Sequence, residues 1–477
     1  MIKEEIFNLF ANVQIGYLVD SEKVVSGDTR LDSSHFIDDV SYTVNSSLGF
    51  TTLSEYIQNV EEPTLFTRIY CDKEFGVPYI SSSEMSEIEP PVDSRFISKT
   101  LTRNIEQYII KRGQILVSAA GTVGSIVVAT EELDGVAGTS DILRINLDQT
   151  KYLGFIYTYL TSSFGANELS NLAYGAIIKR VRGFQLAELK TPFINDSLIE
   201  KMNQLIVKSL ENRDEANRLI KQARSQVLQY NNLPPISDIK SEALDKEGEV
   251  EIRMTGLDEF ESGWRLDAHF YNLKAKEIIR KIQNKSSSFS KLEEVSEDII
   301  IGKRFKRNYV ESDHGTPFIG SKNILQIRPS DLKYLSNSEI SFMDDLMLKS
   351  GMILIACSGS FGGTFGKTCL VHKNFEDFAA SQHILRVVPS NDKIDSGYLY
   401  AYLSSDYGYF SITRYRWGAL IDEIDDEDMA EVIIPICNDS KQKEIGDLVR
   451  KAYELRAEAI KLEDEAQELL TQALTQA

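Results

Sequence analysis

From Ser197 to Gln229, apolar residues recur every three or four positions, with Glu, Lys, Arg, Gln and Ala between them and neither Pro nor Gly. That spacing predicts a long amphipathic helix rather than a strand; at ~1.5 Å of rise per residue it spans about 50 Å. The pattern returns 243 residues later, from Ser440, as SKQKEIGDLVRKAYELRAEAIKLEDEAQELL. In this second copy the expected seam is Ile445, Leu448, Ala452, Leu455, Ala459, Leu462, Ala466, Leu469 and Ala473. Large and small residues alternate along it, which lets a second helix approach closely.

The repeat extends beyond the helices. TRLDSSHF (Thr29 to Phe36) answers WRLDAHF (Trp264 to Phe270), and TRIYCDKEFGVPYISSSEM, from Thr67, answers KRNYVESDHGTPFIGSKNI, from Lys306. IIKRGQILVSAAGTVG answers MLKSGMILIACSGSFG, and AGTSDILRI answers AASQHILRV. From Tyr157 onward the offset stays at 243, pairing YTYLTSSFG with YAYLSSDYG, YGAII with WGALI, and Pro192 with Pro435. Within each copy, short β-branched and aromatic runs such as VPYIS, QILVSAAG and SIVVAT predict strands, while KYLGFIYTYLTSSFG predicts a helix. The chain therefore reads as two copies of one α+β module, each followed by a long helix. Pro234 and Pro235 stop the first long helix, and the charged run after them reads as a linker. Residues 1–28 have no counterpart in the second half; they suit an edge strand or a docking segment.

Composition narrows the function. With 477 residues, 42% of them hydrophobic, the chain can bury several cores. No apolar run approaches the ~20 residues of a membrane span, and MIKEEIFNLF lacks a signal-peptide pattern, so the expected location is cytoplasmic and off the membrane. Cys71, Cys357, Cys369 and Cys437 show no metal-site spacing and do not repeat between the halves, which suits reduced core thiols. A balance of 52 basic against 72 acidic residues, net −20, argues against holding nucleic acid by bulk charge.

Catalytic signatures are missing. SGSFGGTFGKT (Ser358 to Thr368) imitates a phosphate loop, but Phe361 stands where its first glycine belongs, and CLVH after it predicts a strand instead of a phosphate-binding helix. The chain has no His-Glu-x-x-His, no G-x-S-x-G and no Asn-Pro-Pro-Tyr. His35 and His269 recur beside the RLD motif in an apolar turn, where a structural role is expected. A duplicated chain of this kind suits recognition or scaffolding.

The paired RLDS and RLDA, the K-x-G-x-I-L turn segments, the Gly-Ala stretches before a strand-ending Pro, and Asp-Ser leading into each long helix occur twice in one order. In this the chain resembles a type I restriction-modification specificity (S) subunit over nearly its whole length after residue 29. The resemblance implies an α+β fold with two repeated α/β target-recognition domains separated by two long antiparallel coiled-coil spacer helices. The expected boundaries are 1–195 for the first domain, 196–230 for its helix, 231–255 for the linker, 256–438 for the second domain and 439–477 for its helix. It further implies a non-catalytic chain that reads a bipartite site on double-stranded DNA. Two methyltransferase (M) subunits would supply S-adenosylmethionine and adenine methylation, and restriction/translocase (R) subunits would cleave. A specificity subunit serving a fused methyltransferase-nuclease would share every feature. A duplicated coiled-coil adaptor binding only proteins is a rival motivated by the acidic charge, and a nucleotide-binding enzyme is a third reading.

DNA contacts are expected where the halves differ. Lys179, Arg180 and Arg182 face Asp422, Glu423 and Asp425 in the second copy, a reversal of sign that predicts no shared structural role. Conversely, Lys303, Arg304, Lys306 and Arg307 make the second copy basic where the first keeps only Arg68. Arg414 and Arg416 complete the candidates; lysine and arginine suit phosphates, and arginine suits guanine edges.

Overall fold

A computed structural model describes residues 48–120, 124–172, 180–239, 265, 269–329, 332–373 and 375–475. The RLD motif of the first copy, with His35, lies outside them. The chain divides into two compact units. Unit 1 comprises 1–85, 90–210 and 461–477, and unit 2 comprises 86–89 and 211–460.

In unit 1 the apolar runs pair as expected. β1 (Phe50–Thr52) is joined by β9 (Lys190–Pro192). The main sheet is antiparallel, in the order β2 (Ile57–Glu61), β8 (Ile142–Leu147), β5 (Ile115–Ser118), β6 (Ile126–Val128). β5 is buried at every position, so its ILVS run is continuous rather than alternating. A smaller sheet has β3 (Gly76–Ile80) between antiparallel β4 (Phe96–Ser98) and parallel β7 (Ala137–Gly138). Helices α1 (Leu153–Thr161), α2 (Ser163–Leu172) and α3 (Gly183–Ala187) precede α4 (Asp196–Tyr230).

Unit 2 repeats this plan. After α5 (Leu273–Lys285) comes β10 (Ser288–Lys291), paired with the late strand Ile433–Ile436, then the short helix α6 (Leu292–Val295). The main sheet uses β11 (Ser296–Ile301), β15 (Ile353–Ala356), β17 (Thr368–Leu370) and β19 (Ile384–Pro389) in the antiparallel order β11-β19-β15-β17. The smaller sheet contains β12 (Tyr309–Val310), β13 (Gly315–Ile319), β14 (Lys333–Ser336) and β18 (Ala379–Ala380), with β13 and β18 parallel as in unit 1. β16 (Ser358–Gly359) pairs β20 (Asp422–Glu423). Helices α7 (Ser396–Leu403), α8 (Asp406–Thr413) and α9 (Asp426–Ala430) lead to β21 (Ile433–Ile436) and α10 (Asp439–Thr475). The phosphate-loop imitation is thus a turn, with Gly366 at φ +76°, running into a strand.

Glycine marks the same close approach in both units. A Cβ on Gly154 would lie 2.3 Å from the Asn203 backbone of α4, and one on Gly397 would lie 2.7 Å from Gly446 of α10. Residues 154 and 397 are repeat counterparts, so each module needs its helix pressed against the following long helix.

Each long helix contributes a segment to both units. In unit 2, Arg456 donates to Asn217 at 2.9 Å and Tyr230 to Glu444 at 2.9 Å, so the two segments run antiparallel there. In unit 1, the Ser209 hydroxyl donates to Glu463 at 2.8 Å. Four of the nine expected seam residues, Ile445, Ala452, Ala459 and Ala466, are fully buried, but Leu448, Leu455, Leu462, Leu469 and Ala473 are only partly so. The other buried row lies one residue on, at Val449, Arg456, Glu463 and Leu470. Arg456 and Glu463 carry charges that favour the surface; hydrogen bonds to Asn217 and Ser209 admit them to the interior. Cys357, Cys369 and Cys437 are buried free thiols, and burial pushes Cys357 up to about 12.

Candidate nucleic-acid interface

The candidate surface is built on the junction between the main and smaller sheets, which has the same form in the two units. In unit 1, Thr139 N donates to Ile80 O at 3.1 Å and Ala119 N to Asp141 O at 2.8 Å. In unit 2, Ser381 N donates to Ile319 O at 2.9 Å and Cys357 N to His383 O at 3.1 Å. These are repeat-equivalent bonds.

Beside each junction an arginine covers an aromatic ring. Arg68 lies 5.8 Å from the Tyr79 ring centre and Arg307 lies 5.2 Å from that of Phe318. The residues match at the same repeat offset, so this pairing is a property of the module. Arg68 is exposed, while Arg307 is half-buried and donates to Gln382 Oε1 at 2.5 Å. Lys303, Arg304 and Lys306 are exposed just before it, and none of the three meets a carboxylate among the described residues.

The sign-reversed segment requires a correction, because a shared structural role does survive the reversal. Val181 N donates to Ala119 O at 2.9 Å and Ile424 N to Cys357 O at 3.1 Å, and both side chains are buried. Arg180 bridges Ala120 just as Glu423 pairs with Ser358. Backbone and apolar groups carry the role, leaving the charges free to change. Arg180 holds Asp141 at 2.6 Å and Arg182 holds Glu62 at 2.5 Å. Lys179 lies outside the described residues.

Arg414 is a second correction. It is only 6% exposed, with its guanidinium 4.1 Å from the Phe270 ring centre, so it has no face to offer DNA. Arg416 is packed 3.8 Å from the Phe361 ring centre, lies 3.6 Å from Asp422 and bonds His269 Nδ1 at 2.7 Å. It is bound into the fold as well. His269, itself exposed, is the ring that Arg416 reaches, and Arg265 of the RLD motif anchors Asp428 at 2.9 Å.

Gln382 and His383 are functional candidates that charge alone does not mark in the sequence. His383 is drawn below its usual range by desolvation and by the nearby Arg307 and Arg304, against the opposing pull of Glu423. Gln382 Nε2 lies 2.9 Å from His383 Nε2. The signal in the sequence is the divergent Ser140-Asp141 and Gln382-His383 inside otherwise matching segments. Among the described residues no cluster of three or more His, Cys, Asp or Glu could hold a metal, and no helix is long and apolar enough to cross a membrane.

Comparison with known proteins gives this surface a context. No curated protein matches the chain. Among solved structures, the type I restriction-modification S subunit from M. genitalium is 16% identical, over 91% of this chain and 99% of that one, at a TM-score of 0.34. The HsdS subunit from Thermoanaerobacter tengcongensis is 14% identical, over 92% of this chain and 100% of that one, at a TM-score of 0.28. The family model described as the type I restriction modification DNA specificity domain matches twice, over residues 50–229 and 284–467, well over half of the sequence. The chain belongs to the type I restriction-modification specificity family, and it is a DNA-recognition subunit without catalysis of its own.

Proposed function

We propose that each unit reads one half of a bipartite site on duplex DNA through the surface beside its sheet junction. The observation that carries this reading is the repeated arginine over an aromatic ring, Arg68 on Tyr79 and Arg307 on Phe318. In unit 2 it stands beside three exposed cations, Lys303, Arg304 and Lys306. Such a local cluster attracts phosphate even on a chain of net charge −20. In unit 1 the exposed Arg68 supplies positive charge, and Arg180 and Arg182, their charge offset by Asp141 and Glu62, contribute donors.

The recognition domains in this reading are 1–195 and 256–438, joined by the linker 231–255. The long helices, 196–230 and 439–477, pair as an antiparallel coiled coil and serve as spacers between half-sites. Two methyltransferase subunits dock on this scaffold and bring S-adenosylmethionine for adenine methylation, with restriction/translocase subunits joining to cleave. The complex works in the cytoplasm.

The test is selection of bound sequences from a randomised duplex library by the full chain with its methyltransferase partner. Two specified half-sites around an unspecified gap are expected. Enrichment of one contiguous motif, or of none, contradicts the proposal.

A further inference from the structure

The sheet junction holds two side-chain positions that the fold leaves free to vary, and they sit beside the exposed cations. In unit 1 these are Asp141 and Arg180, 2.6 Å apart. In unit 2 the counterparts are His383, whose backbone oxygen accepts from Cys357 N at 3.1 Å, and Glu423, which pairs with the neighbouring Ser358. Acid and base have exchanged places between the copies. The backbone beneath has not changed. Asp141 O and His383 O accept equivalent bonds from Ala119 N and Cys357 N, while Val181 and Ile424 fill equivalent buried sites next to Arg180 and Glu423.

Among the described residues Asp141 and Arg180 form an ion pair and His383 and Glu423 do not, so the constant frame does not depend on one. A reading position has reason to vary in this way, because the two half-sites of a target need different donors and acceptors at the same geometric place. Exposure agrees: Asp141, Arg180, Gln382, His383 and Glu423 are all partly open to solvent. In unit 2 the neighbouring Gln382 is oriented by Arg307, 2.5 Å from its Oε1.

We propose that Gln382, His383 and Glu423 in unit 2, and Asp141 with Arg180 in unit 1, are base-reading positions that set the sequence of each half-site. The chemistry follows from the side chains. Arg180 suits the O6 and N7 acceptors of guanine, Gln382 the N6 and N7 edge of adenine, and Glu423 the N4 donor of cytosine. Arg304, Lys303 and Lys306 then hold the phosphates that fix the register. The assignment rests on the proposed reading of DNA by each unit.

The double variant His383→Asp, Glu423→Arg places the pair of unit 1 on the frame of unit 2. It installs the ion pair that unit 1 carries on the same frame, so thermal stability is expected to stay close to that of the unmodified chain. Selection from a randomised duplex library, with the full chain and its methyltransferase partner, should return a motif altered at one or two positions of one half-site and unchanged in the other. Gln382→Ala should lower discrimination about tenfold at one position of the same half-site, and it carries the test alone if the double variant fails to fold. An unchanged motif from the folded variants overturns the assignment while leaving bipartite reading intact. Equal weakening for all sequences makes these residues backbone contacts and overturns it too. If the unmodified chain itself enriches no motif, reading of DNA by the units fails, and this assignment with it.

Discussion

Arg456 donates to Glu89 at 3.0 Å, joining residues 367 apart in the sequence. Arg224 grips the same carboxylate at 2.5 Å, so Glu89 lies between arginines from α10 and α4 within unit 2. The peptide that brings it there comes from the first module's sequence. Glu87 forms a β-bridge with Gln326, its own repeat counterpart, while Ile88 N donates to Leu325 O at 2.7 Å and Ile327 N to Ser86 O at 3.0 Å. Lys367 holds Glu87 at 3.1 Å, and the Asn217 amide donates to Ile88 O at 3.1 Å.

Glu89→Gln should therefore destabilise unit 2 strongly. Breaking one member of a buried ion cluster costs about 3 to 5 kcal/mol; about a quarter of the Glu89 side chain remains exposed, which places the expected loss near ~3 kcal/mol. Burial alone would raise this carboxyl, but the two guanidiniums hold it at about 2, below its ordinary 4.5. A depressed folded-state pKa stabilises above the unfolded value and loses that contribution as pH falls through the folded value. Denaturant titrations should show the gap between the original chain and the variant to be full at about pH 6, shrinking below 4.5 and nearly closed by about 2. A gap that stays constant with pH assigns the effect to packing instead.

The corrected seam makes a comparative prediction. Leu470 is fully buried and Leu455 only partly, so Leu470→Ala should cost about 2 to 5 kcal/mol and Leu455→Ala distinctly less. Thermal unfolding of the pair checks this. Equal losses restore the row through Leu455 that periodicity alone suggests.

Arg307→Ala and Arg414→Ala should separate reading from folding. Arg307→Ala is expected to weaken binding by about 1 to 3 kcal/mol and relax preference at one position. Uniform weakening across sequences, measured by titration against matched and mismatched duplexes, makes Arg307 a phosphate contact. Arg414→Ala should lower stability through its loss from the Phe270 face while leaving the preferred sequence unchanged.

The repeat is plain in the sequence because the modules keep the same buried strands and the same long helix, and burial constrains residue type strongly. VPYIS, QILVSAAG and SIVVAT form β3, β5 and β6. Polar residues are harder to place. Arg456 and Glu463 look like surface residues, because a hydrophobic stripe cannot reveal that Asn217 and Ser209 lie opposite them. The sign reversal at Arg180 and Glu423 suggests that no structural role is shared, since side-chain charge is visible in a sequence and a backbone hydrogen bond is not. Arg414 has the sequence character of a surface cation, and only the Phe270 ring beneath it shows otherwise. The insertion of Ser86–Glu89 into unit 2 is a non-local pairing with no periodic signature.

The central claim, that each unit reads its own half-site, is tested most directly by replacing residues 30–195 with the equivalent module of another specificity subunit. The methylated motif is then sequenced in DNA from cells carrying the chimera with its methyltransferase partner. One half of the motif should change, and the other should be identical to that of the original chain. A change in both halves, or in neither, contradicts the account.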